Sequence, residues 1–140
     1  MKTLRLLLPL LVMSCGGPSD PHSQVMDQIE RNVILPAGAA QLSDYSRYYA
    51  GVKGGRVQAA FVIHPEIYRQ GVRDFCASKK VRSFPCSPDG KSKLPGPGER
   101  IWLRTPDEMP IPSGGGCEAV TFQYDPQSGE FTRRECNGSH

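Results

Sequence analysis

The sequence predicts an α+β domain: one N-terminal helix packed on a small antiparallel sheet of about four or five strands, loop-rich and disulfide-stapled. Three observations lead there. Val25, Met26, Ile29 and Val33 recur at spacings of three and four, which gives one apolar helix face. RVQAAFVIH and EAVTFQYDPQSGEFTRREC alternate apolar and polar residues, as half-buried strands do. Proline and glycine together number 28 of 140 residues, below the ~25–30% of disordered chains, and they concentrate in the middle.

The first segment is a targeting signal by pattern. Lys2 and Arg5 form a basic start, and residues 6–13 form a short apolar run broken by Pro9. A bilayer span needs roughly 20 apolar residues, so the run fits a signal-peptide core instead. Residues 16–22, GGPSDPH, are small, polar and interrupted by proline, which reads as a tether. The domain is expected over residues 23–140.

The helix begins near Ser23, whose hydroxyl can cap the first turn, and Pro36 and Gly38 end it. LSDYSRYYA and RVQAAFVIH flank GVKGG and read as an antiparallel hairpin. Val57, Ala59, Phe61 and Ile63 share one face of the second strand; Gln58, Ala60, Val62 and His64 share the other. PEIYRQGVRDF is a short irregular helix, PCSPDGKSKLPGPG a loop, IWLR a brief strand and TPDEMPIPSGGG another loop. The last hairpin is the clearest element. Val120, Phe122 and Tyr124 alternate on one strand, with Phe131 and Arg133 on the other, and Pro126 and Gly129 supply the turn.

Five cysteines are an odd number. VMSC, residues 12–15, follows the basic start and the apolar run, and in that position it resembles the lipobox of bacterial lipoproteins. The resemblance covers residues 1–16. It implies cleavage of residues 1–14 and acylation of Cys15, with residues 15–22 as lipidated cysteine and tether. More than one acyl chain gives stable membrane attachment. Gly16 after the cysteine, in place of aspartate, implies the outer membrane, with the domain facing the periplasm. VTFQYDPQSGEF and CNG also resemble small Gram-negative lipoproteins, a likeness that carries no activity.

Cys76, Cys86, Cys117 and Cys136 are then an even set in an exported chain, which reads as disulfides. Four cysteines allow three connectivities; Cys76–Cys86 and Cys117–Cys136 are the favoured pairs. If Asp125 and Glu130 close the last turn, Cys136 faces Ala119 and Cys117 lies two residues beyond. That is slightly wide for a bond, and the glycines at 114–116 allow a bend. No CxxC is present, and the spacings of 10, 31 and 19 do not suit zinc. No metal or cofactor is expected.

Cleavage before Cys15 removes Lys2 and Arg5 from 17 Lys+Arg, leaving 15 against 14 Asp+Glu, a formal net charge of +1. Nucleic acid is therefore not an expected partner. Charge is uneven, however. Residues 69–93 hold seven basic side chains against Asp74 and Asp89, a local net of +5. Lys79, Lys80 and Arg82 sit between Cys76 and Cys86, with Lys91 and Lys93 just beyond. These five are candidate ligands for an anionic envelope polymer or an acidic envelope protein. Tyr45, Tyr48, Tyr49 and Trp102 could stack on sugar rings, but adjacent Tyr48 and Tyr49 point to opposite faces of a strand, and core packing is the expected role.

Catalytic signatures are sparse. His64 is the one histidine at a structured position, with Glu66 nearby. GxSxG, a P-loop and HExxH do not occur. The expectation is a non-enzymatic accessory or binding module held to the membrane through Cys15. One alternative is an inhibitor-like module whose 105–116 loop blocks an envelope hydrolase; another is a small enzyme using His64 and a free thiol.

Overall fold

The computed structural model describes residues 20–79 and 81–138. The residues read from sequence as a signal segment and lipobox, Cys15 included, lie outside the described residues. So does Lys80.

The fold is α+β: two helices and a five-stranded sheet, with two disulfides. Helix α1 spans Pro21–Asn32. Strands β1 (Ser46–Gly51) and β2 (Val57–Val62) are followed by helix α2 (Glu66–Lys79), then β3 (Arg100–Trp102), β4 (Gly116–Asp125) and β5 (Glu130–Asn137). The spatial order is β3-β1-β2-β4-β5.

Two features correct the expectation of one N-terminal helix on an antiparallel sheet. The sheet is mixed, because β3 runs parallel to β1 with Tyr49 opposite Trp102. The chain leaves β2, passes through α2 and a long loop, and returns on the far side of β1. The first helix starts some twenty residues into the chain, and the segment read as irregular is a second, regular helix of 14 residues.

Helix α1 is capped by Asp20, whose carboxylate accepts the Ser23 N–H at 3.1 Å, rather than by Ser23 itself. Pro21 and His22, read from sequence as tether, open the helix, where proline's missing N–H costs nothing. Its inner face buries Met26 and Ile29 against Tyr45, Tyr49, Ala59, Phe61, Phe122 and Tyr124. Phe61 is the centre of this layer. Its ring meets Phe122 edge-on at 4.9 Å between centroids and Tyr49 at 5.9 Å, the geometry that aromatic quadrupoles favour.

A half-buried ionic cluster pins α1 to the sheet edge. Glu30 pairs with Arg47 at 3.1 Å and Arg100 at 3.2 Å, and accepts the Tyr49 hydroxyl at 2.8 Å. Asp27 adds a second contact to Arg100 at 2.7 Å. Burial and the neighbouring Glu30 push the Tyr49 phenol well above its usual range, so it stays a donor.

The opposite face of the sheet is covered differently. Tyr48, Ala60, Val62 and Ala119 pack with Leu103 and Met109 from the loops. Among its described side chains, helix α2 buries only Cys76 and half-buries Arg69 and Val72. The Arg69 guanidinium anchors it by donating to the buried Ser46 hydroxyl at 2.7 Å and to the Pro95 carbonyl at 3.0 Å.

The last hairpin carries a bulge that the alternation did not reveal. Asp125 does face Glu130, but between Gln123↔Thr132 and Thr121↔Glu135 strand β5 contains one extra residue. Arg133 takes the strain at φ 54°. Phases beyond the bulge shift, so Cys136 lies opposite Val120 instead of Ala119. Strand β4 then bends between Gly116 and Val120. Cys117 is thereby brought to Cys136 with Cα atoms 4.5 Å apart. The Tyr45 hydroxyl secures the bend, donating to the Cys117 carbonyl at 2.5 Å and accepting the Ala40 N–H at 3.0 Å.

Candidate functional site

The second disulfide organises the basic segment. Cys76, on α2, is bonded to Cys86 with Cα atoms 5.3 Å apart, and both are fully buried. Beyond Cys86 the chain makes a tight local fold. Ser87 N–H donates to the Lys91 carbonyl at 2.8 Å, and Lys93 N–H to the Pro85 carbonyl at 2.7 Å. Gly90 is required here: it sits at φ 81°, and a Cβ would approach the Cys76 carbonyl oxygen at 3.4 Å.

This fold places Arg82 and Lys93 in the lining of a hollow of about 320 Å³ that Arg104 also lines. Phe84, Trp102 and Leu103 line it as well. The His22 ring stacks on Trp102 at 4.1 Å between centroids and 6° between planes, holding the indole in place. Among the described residues Arg82 and Lys93 have no ion-pair partner. Arg104 donates to Glu108 at 3.2 Å but remains 80% exposed. Three cations against one carboxylate leave the hollow positive. Guanidinium groups match the planar oxygens of phosphate or carboxylate, and an aromatic wall suits a ring or an apolar body attached to them.

Of the five basic residues proposed from sequence, two line this hollow, and Lys80 lies outside the described residues. Arg82 and Lys93 converge. Lys91 points elsewhere and pairs with Asp89 at 3.0 Å. Hydrogen bonds from the Ser87 hydroxyl and from Lys91 hold the Asp89 carboxyl down at about 2. Lys79 is the last residue of α2. Arg104 was missed, although Trp102 and Arg104, two residues apart in IWLR, are the pattern of one strand face. Of the four aromatic residues, Tyr45, Tyr48 and Tyr49 are fully buried core, the role expected for them ahead of stacking on sugar rings. Trp102 alone reaches a hollow.

A second, larger hollow of about 440 Å³ lies beside α2, with apolar walls from Ile63, Tyr68, Pro110, Ile111 and Pro112. His64 opens onto it. Its Nε2 is 2.7 Å from the Tyr48 hydroxyl, and its ring stacks on Tyr68 at 4.9 Å. Burial, with Arg69 adding to it, lowers the His64 pKa to about 4, so the imidazole is neutral near pH 7. Burial also pushes the Tyr48 phenol above its usual range, which keeps its proton on. Glu66, the carboxylate nearest in sequence, pairs with Arg73 instead. All four described cysteines are in disulfides, so no described thiol stands beside His64. No group of three or more metal-ligating side chains gathers among the described residues. No helix among them is long and apolar enough to cross a membrane.

Fold and hollow together define a disulfide-stapled α+β domain with a positively charged, aromatic-walled recess at one sheet edge. The chain matches no family model, no curated protein sequence and no solved structure.

Proposed function

We propose that the chain is a non-enzymatic lipoprotein of a bacterial cell envelope. It is anchored through Cys15 to the outer membrane, faces the periplasm, and binds an anionic group of an envelope polymer or an acidic envelope protein. The observation that carries the binding role is the convergence of Arg82, Lys93 and Arg104 on the recess walled by Phe84 and Trp102. Two of these cations have no ion-pair partner among the described residues, and a short disulfide loop fixes the segment that presents Arg82. A cation held in position loses little freedom on binding, which favours recognition over a solvated charge run. The signal segment with its lipobox supports the anchor, and two disulfides are compatible with an extracytoplasmic location.

The test is charge reversal of the recess. The full chain, purified as R82E/K93E and as wild type, is titrated with lipopolysaccharide as the anionic envelope probe. Wild type is expected to bind in a manner that rising salt weakens, and R82E/K93E to bind at least about tenfold more weakly. Unchanged binding by R82E/K93E would sink the recess as the contact surface.

A further inference from the structure

The larger hollow, beside α2, has opposing walls that are each held from behind. Its volume of about 440 Å³ lies within the ~300–1,000 Å³ of small-molecule sites. On one side the Tyr68 ring lies on His64, and the Tyr48 hydroxyl meets the imidazole at 2.7 Å. On the other side the loop carrying Pro110, Ile111 and Pro112 is pinned at several points. Met109 is buried just ahead of it, and the Ile111 N–H donates to the Met109 carbonyl at 2.9 Å. The Asn137 amide donates to the Pro112 carbonyl and, at 3.3 Å, to the Gly114 carbonyl. The end of β5 backs this loop closely: a Cβ at Gly138 would stand 3.0 Å from the Gly114 Cα. The Cys117–Cys136 disulfide ties down the return into β4. A hollow formed in advance costs little ordering when a ligand enters.

The lining also has a sign. Glu118 is its one formally charged side chain near pH 7, because His64 is neutral there. The Glu118 carboxylate has no ion pair or hydrogen bond among the described residues. It stands at the wall itself: a Cβ at Gly115, which also lines the hollow, would come within 3.4 Å of its Oε2. Arg69, the cation whose field reaches His64, is turned to Ser46 and Pro95 and is not in the lining. Tyr68 and Ile111, exposed by 42% and 41%, give the carboxylate an apolar surround. An unneutralised carboxylate beside apolar walls attracts a cation and repels an anion. We propose that this hollow binds a small organic amine, its apolar body between Tyr68, Ile63 and Ile111 and its ammonium on Glu118. The inference does not rest on the anion-binding reading, since the surface is different and the ligand has the opposite charge.

The probe is 2-phenylethylamine, an ammonium on an aromatic body. It is titrated into the full chain carrying Cys15→Ser, so that no acyl chain is present, and followed by amide NMR. 3-Phenylpropionate and 2-phenylethanol serve as its anionic and neutral counterparts. The amine is expected to bind with about millimolar affinity and to move the amides of residues 63–68 and 111–118. The propionate is expected to bind at least about fivefold more weakly. E118Q is expected to lose about fivefold in affinity for the amine and none for the alcohol, which also shows that the hollow stays intact. I111S is expected to weaken the amine and the alcohol alike. Absence of amide shifts in these segments at about 10 mM amine overturns the inference. So does equal binding of amine and propionate by the parent chain, or E118Q that binds the amine as the parent does.

Discussion

Replacing Cys76 and Cys86 by serine is expected to loosen α2 before it loosens the sheet. Apart from Cys76, α2 meets the domain mainly through Arg69, whose guanidinium reaches Ser46 and Pro95, and through half-buried Val72. The disulfide therefore acts as a latch on a helix with little apolar packing of its own. Its closed loop has a sequence separation of 10, for which the chain-entropy relation gives about 2.7 kcal/mol at room temperature. The Cys117–Cys136 bond, with a separation of 19, gives about 3.2 kcal/mol. By loop size alone the two are nearly equal, so their difference must appear in where stability is lost. Urea denaturation of C76S/C86S is expected to show a loss of about 2–3 kcal/mol. Hydrogen exchange is expected to speed up in residues 66–79 by more than in β1, β2 and β4, because α2 opens locally. C117S/C136S is expected instead to speed exchange in β4 and β5. A loss below about 1 kcal/mol for C76S/C86S, with exchange in α2 unchanged, would refute the latch.

Two further outcomes follow from the core and from His64. Phe61→Ala removes the ring that joins Tyr45, Tyr49 and Phe122 and is expected to cost about 3–5 kcal/mol in urea denaturation. A cost below about 1.5 kcal/mol would mean that this layer is not the centre of the core. His64 is held neutral, with its pKa lowered to about 4 from 6.5. Between those values the unfolded chain binds the extra proton, so stability falls as pH drops through this window, and below it the loss levels off. Partial exposure screens the effect, leaving on the order of 1–2 kcal/mol. The difference in unfolding free energy between wild type and H64Q, followed from pH 7 to pH 4, measures it, and a difference independent of pH would contradict the buried neutral imidazole.

Much of the fold was legible where a single periodicity governed a segment. The spacing of Met26 and Ile29 located α1, and alternation gave both faces of β2 and the Asp125–Glu130 turn. What escaped depended on distant partners. The parallel pairing of β3 with β1 arises from a crossover that three residues of strand cannot signal. The β5 bulge at Arg133 leaves no pattern in TRREC, yet it reverses which face Cys136 occupies. Helix α2 read as irregular because its apolar residues do not converge on the core. The recess was half legible: Arg82 and Lys93 stood out by charge density, whereas Arg104 joined them only once β3 was placed against β1. Adjacent tyrosines in SRYYA signalled a strand but not that both sheet faces are covered, which is why all three tyrosines are core.

The most direct test of the proposed lipoprotein is the intact mass of the protein purified from its native source, with and without reduction and thiol alkylation. A cell-envelope lipoprotein gives residues 15–140 bearing acyl chains on Cys15, and no thiol reacts before reduction. After reduction four thiols react, from Cys76, Cys86, Cys117 and Cys136. A chain that retains residues 1–14 without acylation, or that alkylates at any of those four cysteines before reduction, contradicts the account.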